Sequence, residues 1–136
     1  MPNIDEIYEL FSWDNSNSPE EYERRVRQGL ELARDVKYLF PFFQPFLPYR
    51  SSKSVWEPCA RALAARSDEE LAPYLMLLFE WLKDVNWPGA GVIEDRLLRM
   101  PPALTAEALY YSKRFAEKAK DEPWLWALEG FEKELR

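Results

Sequence analysis

The sequence predicts an all-α protein. Three observations carry that prediction. Eleven prolines stand against only four glycines. Capping signals recur just ahead of apolar residues spaced three and four apart. No Asn-Gly or Asp-Gly hairpin turn and no run of alternating β-branched residues occurs. A glycine-poor, proline-rich chain suits helices whose starts are set by proline, whose missing N–H costs nothing at the first helical position. With 136 residues, 47% of them hydrophobic and 15% aromatic, the chain can bury a core, and residues 1–136 read as a single all-α domain. Within it, residues 1–50 hold N-terminal helices and an aromatic bend, and residues 51–136 hold the helical core.

Residues 4–11 form a short amphipathic helix with Ile4, Ile7, Tyr8 and Phe11 on one side. The segment WDNSNS, residues 13–18, is a loop by composition. Ser18-Pro19-Glu20-Glu21 then opens a helix, with Ser18 as cap, Pro19 at the first position and Glu21 completing a capping box. Its stripe of Tyr22, Val26, Gly29, Leu30, Ala33 and Val36 carries it to about Leu39.

The next stretch, FPFFQPFLPYR at residues 40–50, breaks the pattern, because three closely spaced prolines remove the hydrogen bonds a regular helix needs. Two readings stay open: a packed corner, or an exposed aromatic patch for a partner. Phe46 and Tyr49, nearest the Ser51-Ser52 loop, are the rings expected at the surface.

Ser54-Val55-Trp56-Glu57 starts a helix that runs to about Arg66. Ser67-Asp68-Glu69-Glu70 repeats the capping signature, and Pro73 sets the start of the main run to Lys83, striped by Leu71, Tyr74, Leu75, Leu78, Phe79 and Leu82. Asn86 or Trp87 is expected to cap a helix with Pro88 first, carrying Val92, Ile93 and Leu97 to Met100. Pro101-Pro102 ends it. A helix over about residues 103–120 follows, with Leu104, Ala108, Ser112, Phe115 and Ala119 on its expected inner face. Asp121-Glu122-Pro123-Trp124 opens the last helix, striped by Trp124, Leu125, Leu128, Phe131 and Leu135.

Trp56, Trp87 and Trp124 each stand at a helix start near a proline, 31 and 37 positions apart, with two helices in each interval. That spacing matches a short right-handed stack of helical hairpins of the HEAT kind, with six or seven helices in all. The compact irregular helix bundle is the alternative.

Residues 77–92, LLFEWLKDVNWPGAGV, join a helix end, a turn around Asn86 and a new helix. Together with Asp121 and Trp124 downstream, this stretch resembles a bacterial domain family of unknown function with a hallmark close to LLEWLQD-x-NWP. Leu77, Leu78, Glu80, Trp81, Leu82, Asp84, Asn86, Trp87 and Pro88 match it, while Phe79 and Lys83 depart mildly. The likeness runs from about Leu63 to the C-terminus. It implies a small HEAT-like helical fold and supplies no catalytic residues. Trp81 and Trp87, six positions apart across the turn, are expected to be largely buried against each other or a shared hydrophobic neighbour.

A formal charge of −6 repels phosphate backbones, so nucleic acid is not an expected partner. The basic groups Arg24, Arg25 and Arg27, and Lys113, Arg114, Lys118 and Lys120, read as solvated helix faces interleaved with glutamate. The acidic N-terminus lacks a secretory pattern, and the apolar window Leu71–Leu82 is too short to span a bilayer. A cytoplasmic location is the expectation.

Chemistry is poorly supported. The chain has no histidine, which is the usual general base and the commonest metal ligand. Cys59, the sole cysteine, stands among apolar Ala60 and Ala62 and reads as a buried structural thiol. Gly89-Ala90-Gly91 is too short for a phosphate loop. No cofactor is expected.

Two functional classes survive. The first is a non-catalytic protein-interaction module, of immunity or scaffold type, with Phe46, Tyr49, Glu80, Trp81, Asp84, Asn86 and Trp87 as candidate contacts, a protein partner, and possible self-association. The second is a metal-dependent enzyme using a cluster of Glu80, Asp84 and Glu94.

Overall fold

The computed structural model describes residues 3–47 and 52–135, and every regular element in them is helical. The α-helices are α1 (Ile4–Phe11), α2 (Pro19–Ala33), α3 (Trp56–Ala64), α4 (Asp68–Leu71), α5 (Leu75–Glu80), α6 (Ala90–Leu98), α7 (Pro102–Lys118) and α8 (Glu122–Glu134). The single turn α4 runs into α5 through a 3₁₀ turn at Ala72–Tyr74, so the described residues hold seven helices when these two count as one. They fall into two compact units divided between Arg66 and Ser67.

In the first unit, Asn3 accepts from the Asp5 amide at 2.9 Å and starts α1. Ser18 accepts from the Glu21 amide at 3.1 Å and starts α2, which Pro19 leads. The two helices pack closely because position 29 carries no side chain: a Cβ there would stand 2.6 Å from the Phe11 ring. The Tyr22 hydroxyl lies 2.7 Å from the Phe11 carbonyl oxygen and 3.0 Å from that of Ser54. It ties the end of α1 to the 3₁₀ turn at Lys53–Val55 that precedes α3.

Helix α2 ends at Ala33, earlier than its apolar spacing suggested. The Arg66 guanidinium donates to the carbonyls of Ala33 and Val36, satisfying acceptors that a longer helix would have used internally. The aromatic bend is folded into two 3₁₀ turns, Phe40–Phe42 and Gln44–Phe46. Phe42, Phe43, Gln44 and Pro45 are buried, and Gln44 donates to the Pro41 carbonyl at 3.0 Å. This part of the bend is a packed corner.

Ser54 does not cap α3. Its hydroxyl accepts from the Trp13 amide at 3.0 Å, and a 3₁₀ turn over Lys53–Val55, begun at Ser52, leads into the helix instead. Cys59 is fully buried, as are Trp56 and Leu63 on the same helix.

The second unit opens on a complete capping box. Ser67 accepts from the Glu70 amide at 3.1 Å and Glu70 accepts from the Ser67 amide at 3.2 Å. Pro73 sits at the head of the Ala72–Tyr74 turn, and a second 3₁₀ turn, Trp81–Lys83, closes α5. Arg96 is buried on α6 and donates to Asp68 at 2.7 Å, so the charge it brings inside is paired. Phe79 of α5 meets Phe131 of α8 edge to face, with ring centroids 5.2 Å apart.

Helix α7 lies between α5 and α8 with a face different from the one its apolar residues suggested. Thr105, Leu109, Ser112 and Ala116 are its buried residues, and Phe115 points outward. The Ser112 hydroxyl is satisfied at 3.8 Å from the Met76 sulfur. Lys120, with φ 55, ends α7 in the left-handed conformation, and the Asp121 amide donates back to the Ala116 carbonyl at 2.9 Å. Asp121 then caps α8 by accepting from the Trp124 amide at 3.1 Å.

Candidate functional site

The turn between α5 and α6 is built by Asp84. Its carboxylate accepts from the Asn86 amide at 2.8 Å, and its carbonyl accepts from the Trp87 amide at 3.0 Å. The sequence pointed to Asn86 or Trp87 as the cap of α6, but neither caps it. Pro88 stays in the turn, and Gly89, at φ 89, precedes the helix with no side-chain cap. Only glycine takes that left-handed backbone without strain. The Pro88 carbonyl is used otherwise: it accepts from the Trp81 indole N–H at 3.2 Å.

The candidate residues therefore separate into two kinds. Trp81 is fully buried and holds the turn from inside, so it is core and not a contact surface. Trp87 is half-buried, less enclosed than Trp81. Asp84 and Asn86 are exposed. Glu80 pairs with Lys83 at 3.6 Å, and the Lys83 ammonium stands 4.8 Å from the centre of the Trp124 ring. The Trp124 indole N–H in turn donates to the Phe79 carbonyl at 3.0 Å.

Phe46 is half-buried, less open than its place in the bend suggested, and Tyr49 lies outside the described residues. The carboxylates of Glu80, Asp84 and Glu94 are not gathered. Among the described residues no three acidic or cysteine side chains form a group able to hold a metal ion. Glu94 sits apart on α6, where partial burial, then the nearby Glu134 and Asp95, push its carboxyl above the usual range.

The turn and the start of α8 together wall an open cleft of about 370 Å³, lined by Lys83, Asp84, Val85, Asn86, Asp121, Pro123 and Trp126. Both carboxylates that line it, Asp84 and Asp121, already spend one oxygen on a backbone amide, which fixes their direction. Trp126 is 72% exposed and Val85 56% exposed at this cleft. Sequence reasoning did not single out Trp126. Its signal was available: a tryptophan out of phase with the stripe of Trp124, Leu128 and Phe131 has to face outward on the same helix.

No described helix is long and apolar enough to cross a membrane. Neither the curated proteins nor the solved structures provide a match to the chain. Residues 57–135, more than half of the chain, match the family described as Domain of unknown function (DUF5071), and the chain belongs to that family.

Proposed function

We propose that the chain is a non-catalytic protein-interaction module whose docking point is the cleft between the Asn86 turn and the start of α8. The observation that carries this reading is Trp126, 72% exposed at the rim of a cleft that also holds Asp84 and Asp121. A tryptophan left in water wastes apolar area unless a partner covers it, and tryptophan is among the residues that dominate interface energetics. The partner it fits carries a basic side chain, to meet the two carboxylates, beside apolar surface that covers Trp126 and Val85. A chain of net charge −6 also favours basic partners at long range.

A basic toxin masked by an immunity-type protein is one partner of that chemistry, and a scaffold function makes the same demands. The finer architecture belongs to the same reading: α7 and α8 form a tightly connected hairpin against α5, the arrangement that a HEAT-like stack repeats.

The test is capture of partners from the native cell with wild type, Trp126→Ser and Trp13→Ser. Trp13 is also exposed, at 44%, but lies in the other unit. The reading requires loss of the captured protein with Trp126→Ser and retention with Trp13→Ser. Equal capture by all three chains would contradict it.

A further inference from the structure

We propose that the outward face of α7 is a self-association surface that pairs antiparallel with α7 of a second copy. The helix buries Thr105, Leu109, Ser112 and Ala116 and leaves three rings in solvent: Tyr110 at 56%, Tyr111 at 48% and Phe115 at 51% exposure. Three adjacent exposed aromatics on one helix are a large apolar investment for a surface with no contact to make.

The charge pattern identifies the occupant. Glu107 and Arg114 are exposed on the same face, one turn to either side of Tyr111, and neither has an ion-pair partner among the described residues. At about 100° per residue, Glu107 and Arg114 lie along one flank of Tyr111, whereas Leu104, Ala108 and Phe115 lie along the other. A two-fold axis through Tyr111 then sets each Glu107 beside Arg114 of the partner subunit, making two ion pairs on one flank. On the other flank, each Phe115 meets the partner's groove between α5 and α7. That groove is about 320 Å³ and is lined by Pro73, Met76, Leu104 and Ala108 together with Glu107 and Tyr111. One helix thus carries both halves of a self-complementary contact, as a two-fold interface requires. The acidic and basic ends oppose only in the antiparallel sense, because a parallel pair would face like against like.

Sedimentation velocity across a concentration series tests this with Glu107→Arg and Arg114→Glu, both solvent-facing changes whose folding is checked by thermal melting. The wild type dimerises. Each variant alone places like charges together and weakens dimerisation by about tenfold or more in dissociation constant. An equimolar mixture of the two variants restores the dimer, since every 107–114 contact is then between opposite charges. Phe115→Ala weakens it as well, at unchanged melting temperature. A monomeric wild type, variants that dimerise like wild type, or a mixture that stays as weak as its components would each overturn the proposal.

Discussion

The indole N–H of Trp124 donates to the main-chain carbonyl of Phe79 at 3.0 Å, across 45 positions of sequence. That bond joins the end of α5 to the start of α8, and Lys83 stacks over the same ring. Buried parts brace the walls of the cleft: Trp81 holds the turn, Trp124 holds the start of α8, and Phe79 packs against Phe131.

Trp124→Phe keeps most of the ring and removes the donor. The Phe79 carbonyl is then left buried without its side-chain partner, and such a loss costs on the order of 1–3 kcal/mol. Urea unfolding measures it. A change within a few tenths of a kcal/mol would mean that the bond does not brace the corner.

Gly29→Ala adds one methyl where the Phe11 ring already stands 2.6 Å away and the Leu10 Cβ 3.2 Å away. Phe11 is fully buried and cannot swing into solvent. Overpacking of this kind costs about 1–3 kcal/mol, which exceeds the gain alanine brings to a helix interior. A more stable Gly29→Ala variant would show that α1 moves freely over α2.

Glu94 titrates above the ordinary carboxylate range, chiefly because it is partly buried and further because Glu134 and Asp95 repel its charge. The folded state then holds the proton more tightly than the unfolded chain, so ionising Glu94 weighs against folding. The cost is absent below the unfolded pKa and is complete once pH has risen past the folded one. Glu94→Gln is therefore more stable than wild type at neutral pH, and the difference closes as pH falls through the carboxylate range. A difference that does not vary with pH, measured by urea melts at several pH values, would contradict this.

Burial pushes the Cys59 thiol well above its usual pKa, and the side chain is inaccessible. Thiolate reagents accordingly label it only through unfolding. Labelling in native buffer should follow the unfolding rate, and fast stoichiometric labelling of the folded chain would be the contrary result.

Local chemistry was legible in the sequence, and long-range pairing was not. Ser18, Ser67 and Asp121 cap their helices because the donor is three residues away, within what a sequence window contains. Ser54 has the same signature, but its hydroxyl is claimed by the Trp13 amide, 41 positions earlier. The face of α7 was misread for a related reason. Of the expected inner residues Leu104, Ala108, Ser112, Phe115 and Ala119 the helix buries Ser112, whose hydroxyl is satisfied by Met76 on another element, and leaves Phe115 and Ala119 exposed. At the candidate site, the Asp84–Asn86 turn was readable as a turn. The core place of Trp81 depends on the Pro88 carbonyl, and only the fold reveals that partner.

The central claim is that the cleft at Trp126 receives a basic, partly apolar partner segment. Its most direct test is an NMR titration of ¹⁵N-labelled protein with an arginine-rich peptide, against a glutamate-rich peptide as control. The account predicts that the Trp126 indole N–H and the amides of Asp84, Val85 and Asn86 shift with the arginine peptide alone. It also predicts that Asp84→Asn with Asp121→Asn, which keeps the acceptors of the turn and the cap but removes both charges, abolishes the shifts without unfolding the corner. Shifts spread evenly over the acidic surface, or unchanged in the double variant, would contradict it.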